Sequence, residues 1–294
     1  MAVVADQQWQ AVRNALRQAA DRFADLLLTA PATARATLDW TVADTAAHVV
    51  AIPPWYKSLL RPSDHPHPFP AYQDQIDAGN VDTVAVYNEL VLRKFPVREP
   101  QALADRLRRD VAELLALTSD DDPTRTVSWF GGASLPIAGM FAHLLDELLV
   151  HGHDIAKAVG RRWEIPPEQA AMFFELFLLG LIRQGYGRLL DHGVPPPRRR
   201  IAVQFRSAYT TPVTLVLQDG LVSAAAPAPQ DDVRITFHPS MLILMMFGRV
   251  GKLRAVLSGK VRVAGPRPWL LPLFLRTMHL PGRGDPRVLA ALPA

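Results

Sequence analysis

The 294-residue sequence contains no cysteine at all. This absence excludes disulfide bonds, thiolate metal ligands and a cysteine nucleophile. If the protein carries out chemistry at sulfur, the sulfur must therefore arrive on a small molecule.

Long apolar runs and a leader sequence are missing as well. The longest apolar runs, such as MLILMMF at residues 241–247, are much shorter than the roughly 20 residues that cross a bilayer. The start, MAVVADQQWQAVRNALRQAADRF, lacks a basic segment, an apolar core and a cleavage site, and its apolar residues instead follow a helical period. The sequence predicts a cytoplasmic protein without integral membrane association.

Several catalytic signatures are absent. We find no G-x-G-x-x-G, Walker or G-x-S-x-G motif. The H-E-x-x-H signature of zinc peptidases needs glutamate directly after its first histidine, whereas Leu144 follows His143. Peptidase activity is therefore not expected.

The charge is divided unevenly along the chain. Residues 1–160 hold 14 Lys+Arg against 20 Asp+Glu, a net −6, and residues 161–294 hold 18 against 8, a net +10. Apart from RRR at 198–200, the arginines of the second half are scattered and lack interleaved aromatic residues. This pattern favours a solvated basic surface, and no nucleic-acid partner is expected.

The hydrophobic period changes near residue 200. Up to that point it predicts long helices over residues 6–28, 42–60, 79–95, 99–118, 136–159 and 166–190. Ser134 is the predicted N-cap of the fifth of these helices, with Pro136 in its first turn. After DHGVPPPRRR, the segments IAVQFRS, PVTLVLQDGLVSAAA and VRITF alternate with period two, and QDG at 218–220 is typical of a hairpin turn.

The predicted fold class is therefore α plus α+β, with an N-terminal helical bundle followed by a small α+β domain. We predict a bundle over residues 1–160, a connecting helix and Pro-rich linker over 161–199, and the α+β domain over 200–294.

The stretch HLLDELLVHGHD, residues 143–154, places many metal-ligand residue types on one apolar helix. Residues four apart can converge on one ion, so His143 can pair with Glu147, or Glu147 with His151. The two histidines are eight apart, roughly 12 Å along the axis, and cannot share one zinc ion. His153 points away from His151, while Asp154 follows it by three and can orient its imidazole.

A catalytic zinc site usually takes three protein ligands, so a third must come from elsewhere. His48, in WTVADTAAHVV, lies near a predicted apolar stripe of a helix that Thr41 can cap. The alternative is that His48 is a core histidine bonded to a backbone carbonyl. His65 and His67 are weaker candidates because a Pro-rich loop positions ligands poorly.

The motif WTVADTAAHVV, followed about a hundred residues later by ELLVHGHDIAKAVG, resembles the mycothiol-dependent maleylpyruvate isomerase family of the DinB-like superfamily. The resemblance implies a four-helix bundle with a divalent metal, usually zinc. It implies His48, Glu147 and His151 as ligands. It also implies mycothiol as the thiol cofactor or co-substrate.

The second half resembles the end of a sterol carrier protein type 2-like domain. The resemblance rests on ITFHPSMLILMMFGRVGKLRAVLSGKVRVAGPRPWLLPLFLRTM, with its strand, short helix, GKVRVAG strand and closing helix. Such domains enclose an apolar tunnel, although the cluster of Met241, Met245, Met246 and Phe247 is also typical of an ordinary core.

These observations lead to one main hypothesis and two alternatives. The main hypothesis is a zinc-dependent enzyme that uses mycothiol for isomerisation or S-transfer to a small electrophilic or apolar substrate, with Arg125 or Arg276 as examples of arginines that could hold a substrate carboxylate. The first alternative is a carrier of apolar ligands, lipid-like or sterol-like, with a structural metal-binding bundle. The second is a bundle in which the metal only adds stiffness.

Overall fold

A computed structural model describes residues 4–191, 195, 197 and 199–278. Within them, a helical N-terminal region precedes a sheet-containing C-terminal domain, as the sequence predicted. The predicted Pro-rich junction near 193–200 lies partly outside the described residues, and the domain limits stay predictions.

Four helices form the N-terminal bundle: α1 (Asp6–Leu27), α2 (Val42–Leu60), α5 (Pro100–Leu117) and α6 (Ile137–Ala158). Each of α1 and α2 packs against both α5 and α6, so the four enclose one apolar core. The core is filled mainly by leucine, valine, alanine and phenylalanine, and α6 is buried on almost every side. Burial of this apolar surface is the main force that holds the bundle together.

Two shorter helices, α3 (Gln73–Asp77) and α4 (Val84–Lys94), connect α2 to α5. The predicted helix over 79–95 thus begins five residues later than expected. The Asn80 side chain accepts hydrogen bonds from the backbone N–H groups of Asp82 and Thr83, which forms a turn at this place.

A two-stranded hairpin, β1 (Thr126–Trp129) and β2 (Ala133–Pro136), precedes α6. The prediction of Ser134 as an N-cap is wrong, because Ser134 lies in β2 opposite Ser128 and the N-cap is Pro136. Gly131, with φ of +68°, makes the turn between the two strands in a conformation that favours glycine.

The connecting helix is interrupted by a π-helical segment. It consists of α7 (Pro167–Met172), the π segment (Phe173–Leu178) and α8 (Leu179–Gln184). It ends earlier than the predicted residue 190 because Gly185 adopts φ of +115°. The wider π turn changes which side chains face the bundle, and such segments are frequent at functional sites.

The C-terminal domain contains a five-stranded sheet of β3 (Ile201–Ser207), β4 (Thr210–Gln218), β5 (Leu221–Ala225), β6 (Val233–Phe237) and β7 (Val261–Ala264), in the order β5-β4-β3-β6-β7. The predicted hairpin turn joins β4 to β5, with positive φ at Asp219 and Gly220. Three short helices, α9 (Pro239–Met246), α10 (Lys252–Leu257) and α11 (Leu271–Thr277), complete the part of the domain that the structure describes. Its likeness to a sterol carrier domain stays a prediction.

None of the helices in the described part of the chain combines the length and the apolar character that a membrane crossing needs.

Candidate metal centre

Glu147 and His151 lie one turn apart on α6, as helical spacing predicted, and face the bundle interior. Glu147 Oε2 is 3.2 Å from Nε2 of His151 and 3.2 Å from Nε2 of His48, which reaches it from α2. The ligand atoms of His48, Glu147 and His151 all lie within 4.8 Å of one another. The structure therefore brings the three predicted ligands together, while their role in metal binding stays a prediction.

The start of α2 holds His48 in place. The Thr41 hydroxyl accepts a hydrogen bond from the Asp44 backbone N–H, and the Asp44 carboxylate accepts one from the Thr41 backbone N–H. This reciprocal cap confirms Thr41 as the predicted N-cap. The indole of Trp40, just before the cap, lies 5.0 Å from the His48 ring and 6.2 Å from the His151 ring. Trp40 therefore covers both imidazoles.

Asp154 contacts His151 and is itself paired with a residue of the C-terminal domain. Asp154 Oδ2 lies 3.2 Å from Nδ1 of His151. Arg249, between α9 and α10, donates from Nε to Oδ1 at 3.0 Å and from Nη2 to Oδ2 at 2.5 Å. Burial alone would raise the pKa of Asp154, but its bonds to His151 and Arg249 hold the pKa at about 2. Asp154 is therefore a carboxylate that links the centre to the second domain.

His143 supports Glu147 from the other side. Its Nδ1 lies 2.9 Å from the Tyr56 hydroxyl, and its Nε2 lies 3.5 Å from Glu147 Oε1. Burial raises the pKa of Tyr56 well above 10 and lowers the pKa of His143, so Tyr56 donates its proton to a neutral imidazole. His143 thus faces the carboxylate oxygen that the other two histidines leave free.

The electrostatics of the centre favour a positive charge. Burial alone would raise the pKa of Glu147, but hydrogen bonds to His151 and His48 keep the pKa well below its usual value. Burial alone would lower the pKa of His151, but Asp154 and Glu147 raise it to about 9. The two carboxylates thus create a negative potential where the imidazole nitrogens meet.

A divalent ion fits this donor set. Ligand atoms at the usual zinc bond lengths are about 3.4 Å apart in a tetrahedral site. Glu147 Oε2 lies 3.2 Å from each of the two imidazole nitrogens, which is close to that edge, so the residues present fit such an ion. Two imidazoles and one carboxylate are a catalytic donor set that leaves a coordination position open, and they would also accept Fe²⁺, Ni²⁺ or Co²⁺.

The centre opens into a large pocket of about 1360 Å³ between the bundle, the connecting helix and the C-terminal domain. His48, His143, Glu147 and His151 form part of its wall. The described residues that line it do not include His65, His67 or His153. His67 instead accepts a hydrogen bond from the backbone N–H of Phe69.

The arginine in the pocket is not one of the two named from the sequence. Arg125 is paired with Asp121 at 3.0 Å, and neither Arg125 nor Arg276 is among the described lining residues. Arg249 is the arginine that lines the pocket. It lies in a loop 95 residues after its partner Asp154, so no local sequence signal could have indicated it.

Fold and site together define a class of protein: a four-helix bundle with a buried His-Glu-His cluster on its second and last helices, next to a second domain. Residues 12–156 match the family model described as "Mycothiol maleylpyruvate isomerase N-terminal domain", which covers just under half of the chain. The match therefore lies within the N-terminal bundle, which is similar to that domain family.

Two solved structures named as the mycothiol-dependent maleylpyruvate isomerase are similar to this chain. One is a histidine-to-alanine mutant, with 14% sequence identity and a TM-score of 0.48. The other has 15% identity and a TM-score of 0.47. Each comparison covers 87% of this chain and 92% of the other. No match is found among curated proteins.

Proposed function

We propose that the protein is a metal-dependent enzyme that uses a low-molecular-weight thiol, mycothiol, in isomerisation or S-transfer on a small electrophile. The observation that carries this proposal is the convergence of His48, Glu147 and His151 at the wall of an open pocket. The similarity of residues 12–156 to the mycothiol maleylpyruvate isomerase N-terminal domain supports mycothiol as the thiol. The absence of cysteine means that the thiol would come from outside the chain.

In this proposal His48, Glu147 and His151 hold the metal. When bound, a divalent ion of this kind acts as a Lewis acid that lowers the pKa of a thiol, so that thiolate forms near neutral pH. Asp154 fixes the ring orientation and tautomer of His151 through Nδ1, and its carboxylate strengthens the imidazole as a ligand. Cytoplasmic location and zinc as the resident ion are parts of the same proposal.

The remaining polar residues orient the centre. The hydrogen bond between Tyr56 and His143 orients the imidazole so that its Nε2 faces Glu147 Oε1. This contact directs Oε2 of Glu147 toward His48 and His151. Arg249 neutralises Asp154 and ties it to the C-terminal domain. Apolar side chains on the connecting helix limit the access of water to this side of the pocket, which protects a reactive thiolate and strengthens nearby electrostatic interactions.

Metal content gives the direct test. Protein purified without a tag should hold one divalent ion per chain, whereas His48→Ala should lose most of it. His153→Ala is the matched control, because His153 lies on α6 but not in the described pocket wall. A wild-type protein without stoichiometric metal, or a His48→Ala variant that keeps it, contradicts the proposal. Consumption of mycothiol with a maleyl-type or epoxide electrophile then tests the reaction.

A second candidate function is an apolar-ligand carrier with a structural metal centre. The observation that supports it is the large number of apolar side chains in the pocket wall. Mass spectrometry of the purified protein separates the two functions. Co-purified lipid together with metal that never supports mycothiol turnover would favour the carrier.

A further inference from the structure

The pocket is larger than one reactant requires. Ligand pockets usually measure about 300–1,000 Å³, and this one measures about 1360 Å³. The space beyond the His-Glu-His cluster can therefore hold a second molecule beside a thiol. The chemistry of its walls indicates what that molecule is.

A row of aromatic side chains runs from the centre toward the C-terminal domain. The rings of His143 and Phe177 are 4.9 Å apart, those of Phe177 and Phe173 are 5.1 Å apart and stacked, and those of Phe173 and Phe247 are 5.6 Å apart. Phe173 and Phe177 both lie in the π segment, and all four residues line the pocket. We call these four rings the aromatic row.

Aliphatic side chains extend this apolar surface. Leu181 and Ile182 of α8 and Met246 of α9 also line the pocket. Apolar surface buried by a ligand contributes about 25 cal/mol per Å². A flat or extended apolar group placed along this wall would thus gain most of its binding energy there.

The charges of the pocket disfavour an anionic second reactant. Besides histidines, the described lining residues include two bases and five carboxylic acids, which are Lys157, Arg249, Asp39, Glu89, Asp146, Glu147 and Asp154. Arg249 donates from Nε and Nη2 to Asp154 and from Nη1 to the backbone carbonyl of Phe247, and Lys157 is exposed near the end of α6. The two positive charges of the proposed ion are balanced by Glu147 and by the thiolate itself.

We infer that the second reactant is an uncharged apolar electrophile, aromatic or alkyl, that lies along the aromatic row, and not a dicarboxylate. This inference rests on the proposed thiol-dependent function and names its substrate class. With an aryl chloride, for example, the sulfur of mycothiol forms a bond to the ring carbon and the carbon–chlorine bond breaks. Chloride leaves with the electron pair, and the thiol proton passes to the solvent.

Binding is measured first, without turnover. The probes are 2,4-dinitrotoluene, an uncharged quencher of tryptophan fluorescence, and maleate, a dicarboxylate followed by calorimetry. Trp40 and Trp129 line the pocket and report on the first probe. We expect 2,4-dinitrotoluene to bind at least about tenfold more tightly than maleate, which corresponds to 1.4 kcal/mol. Equal or tighter binding of maleate overturns the inference.

A pair of neighbouring variants locates the bound probe. Met246→Lys places a cation in the pocket wall, while Met245→Lys changes a similarly half-buried neighbour that is not among the described lining residues. Met246→Lys should weaken 2,4-dinitrotoluene binding about tenfold, because it replaces an apolar contact, and should strengthen maleate binding. Ile182→Lys serves as a second variant should Met246→Lys not fold. An apolar probe whose binding neither lining variant changes lies elsewhere, which overturns the inference.

Turnover with mycothiol separates this inference from the proposed function. Consumption of 1-chloro-2,4-dinitrobenzene in preference to a maleyl dicarboxylate supports both. Turnover of the dicarboxylate alone overturns the inference and leaves the thiol-dependent function intact. Tight binding of the apolar probe by a protein that never uses mycothiol overturns the proposed function, while the pocket remains an apolar binding site.

Discussion

The bond between Asp154 and Arg249 joins the bundle to the C-terminal domain, and its strength can be measured. The Asp154 side chain is 7% exposed and that of Arg249 is 23% exposed, with two donor–acceptor contacts between them. Removing one partner of a buried pair costs about 3–5 kcal/mol. Because Arg249 is partly exposed, we expect Arg249→Met to lower the free energy of unfolding by about 3 kcal/mol, at the lower end of that range.

A double-mutant cycle isolates the interaction itself. Arg249→Met, Asp154→Asn and the double variant are unfolded in urea with EDTA present, so that metal binding does not contribute. We expect a coupling energy of about 2 kcal/mol between the two sites. Arg108→Met is the control, because Arg108 bonds to the largely exposed Asp25 and should change stability by less than about 1 kcal/mol. A coupling energy below about 0.5 kcal/mol would refute the reasoning, since that value is typical of surface pairs.

Three further predictions concern the elements that position the site. Thr41→Ala removes the cap of α2 and should lower stability by about 1 kcal/mol in thermal unfolding, whereas Thr41→Ser should keep most of it. Gly152→Ala on α6 would place a Cβ against the Trp163 ring, closer than packed atoms can approach, and should cost about 1–3 kcal/mol. An unchanged melting temperature would be the contrary result. Burial alone would raise the pKa of Asp121, but hydrogen bonds to Arg61 and Arg125 lower it below the usual value. The contribution of this carboxylate to stability is therefore fully present above the unfolded pKa of about 4 and is lost as the pH falls through the lower pKa of the folded state. Asp121→Asn should flatten this acid limb of the stability profile, and an identical profile would contradict the assignment.

Much of the fold follows from local sequence signals. The period of 3.6 residues predicted the bundle helices, and the same geometry placed Glu147 and His151 on one face of α6. The hairpin at Asp219 and Gly220 was predicted from its turn residues. By contrast, β1 and β2 have only four residues each, too few for a reliable alternation.

Local sequence signals likewise indicated some of the residues of the site, whereas residues that depend on long-range packing were missed. Helical spacing left His143 and His151 as alternatives, and His48 was a candidate third ligand that could equally be a core histidine. The family resemblance then selected His48, Glu147 and His151. The structure brings those three together. Arg249 and the π segment were missed, because the pairing of Arg249 depends on how two domains meet and the run FFELFL reads as ordinary helix. Long-range packing of this kind leaves no periodic trace in a single sequence.

The bond between Asp154 and Arg249 also has a consequence for chimaeric proteins. A C-terminal domain taken from another protein would have to present a cation at this loop position, or Asp154 would remain buried without its guanidinium partner. Exchanging the domain would therefore alter the partner that orients the His151 ring, although His151 itself belongs to the bundle. The two domains are separate in the order of the chain, but a substitution at position 249 of the second changes the surroundings of the His-Glu-His cluster in the first.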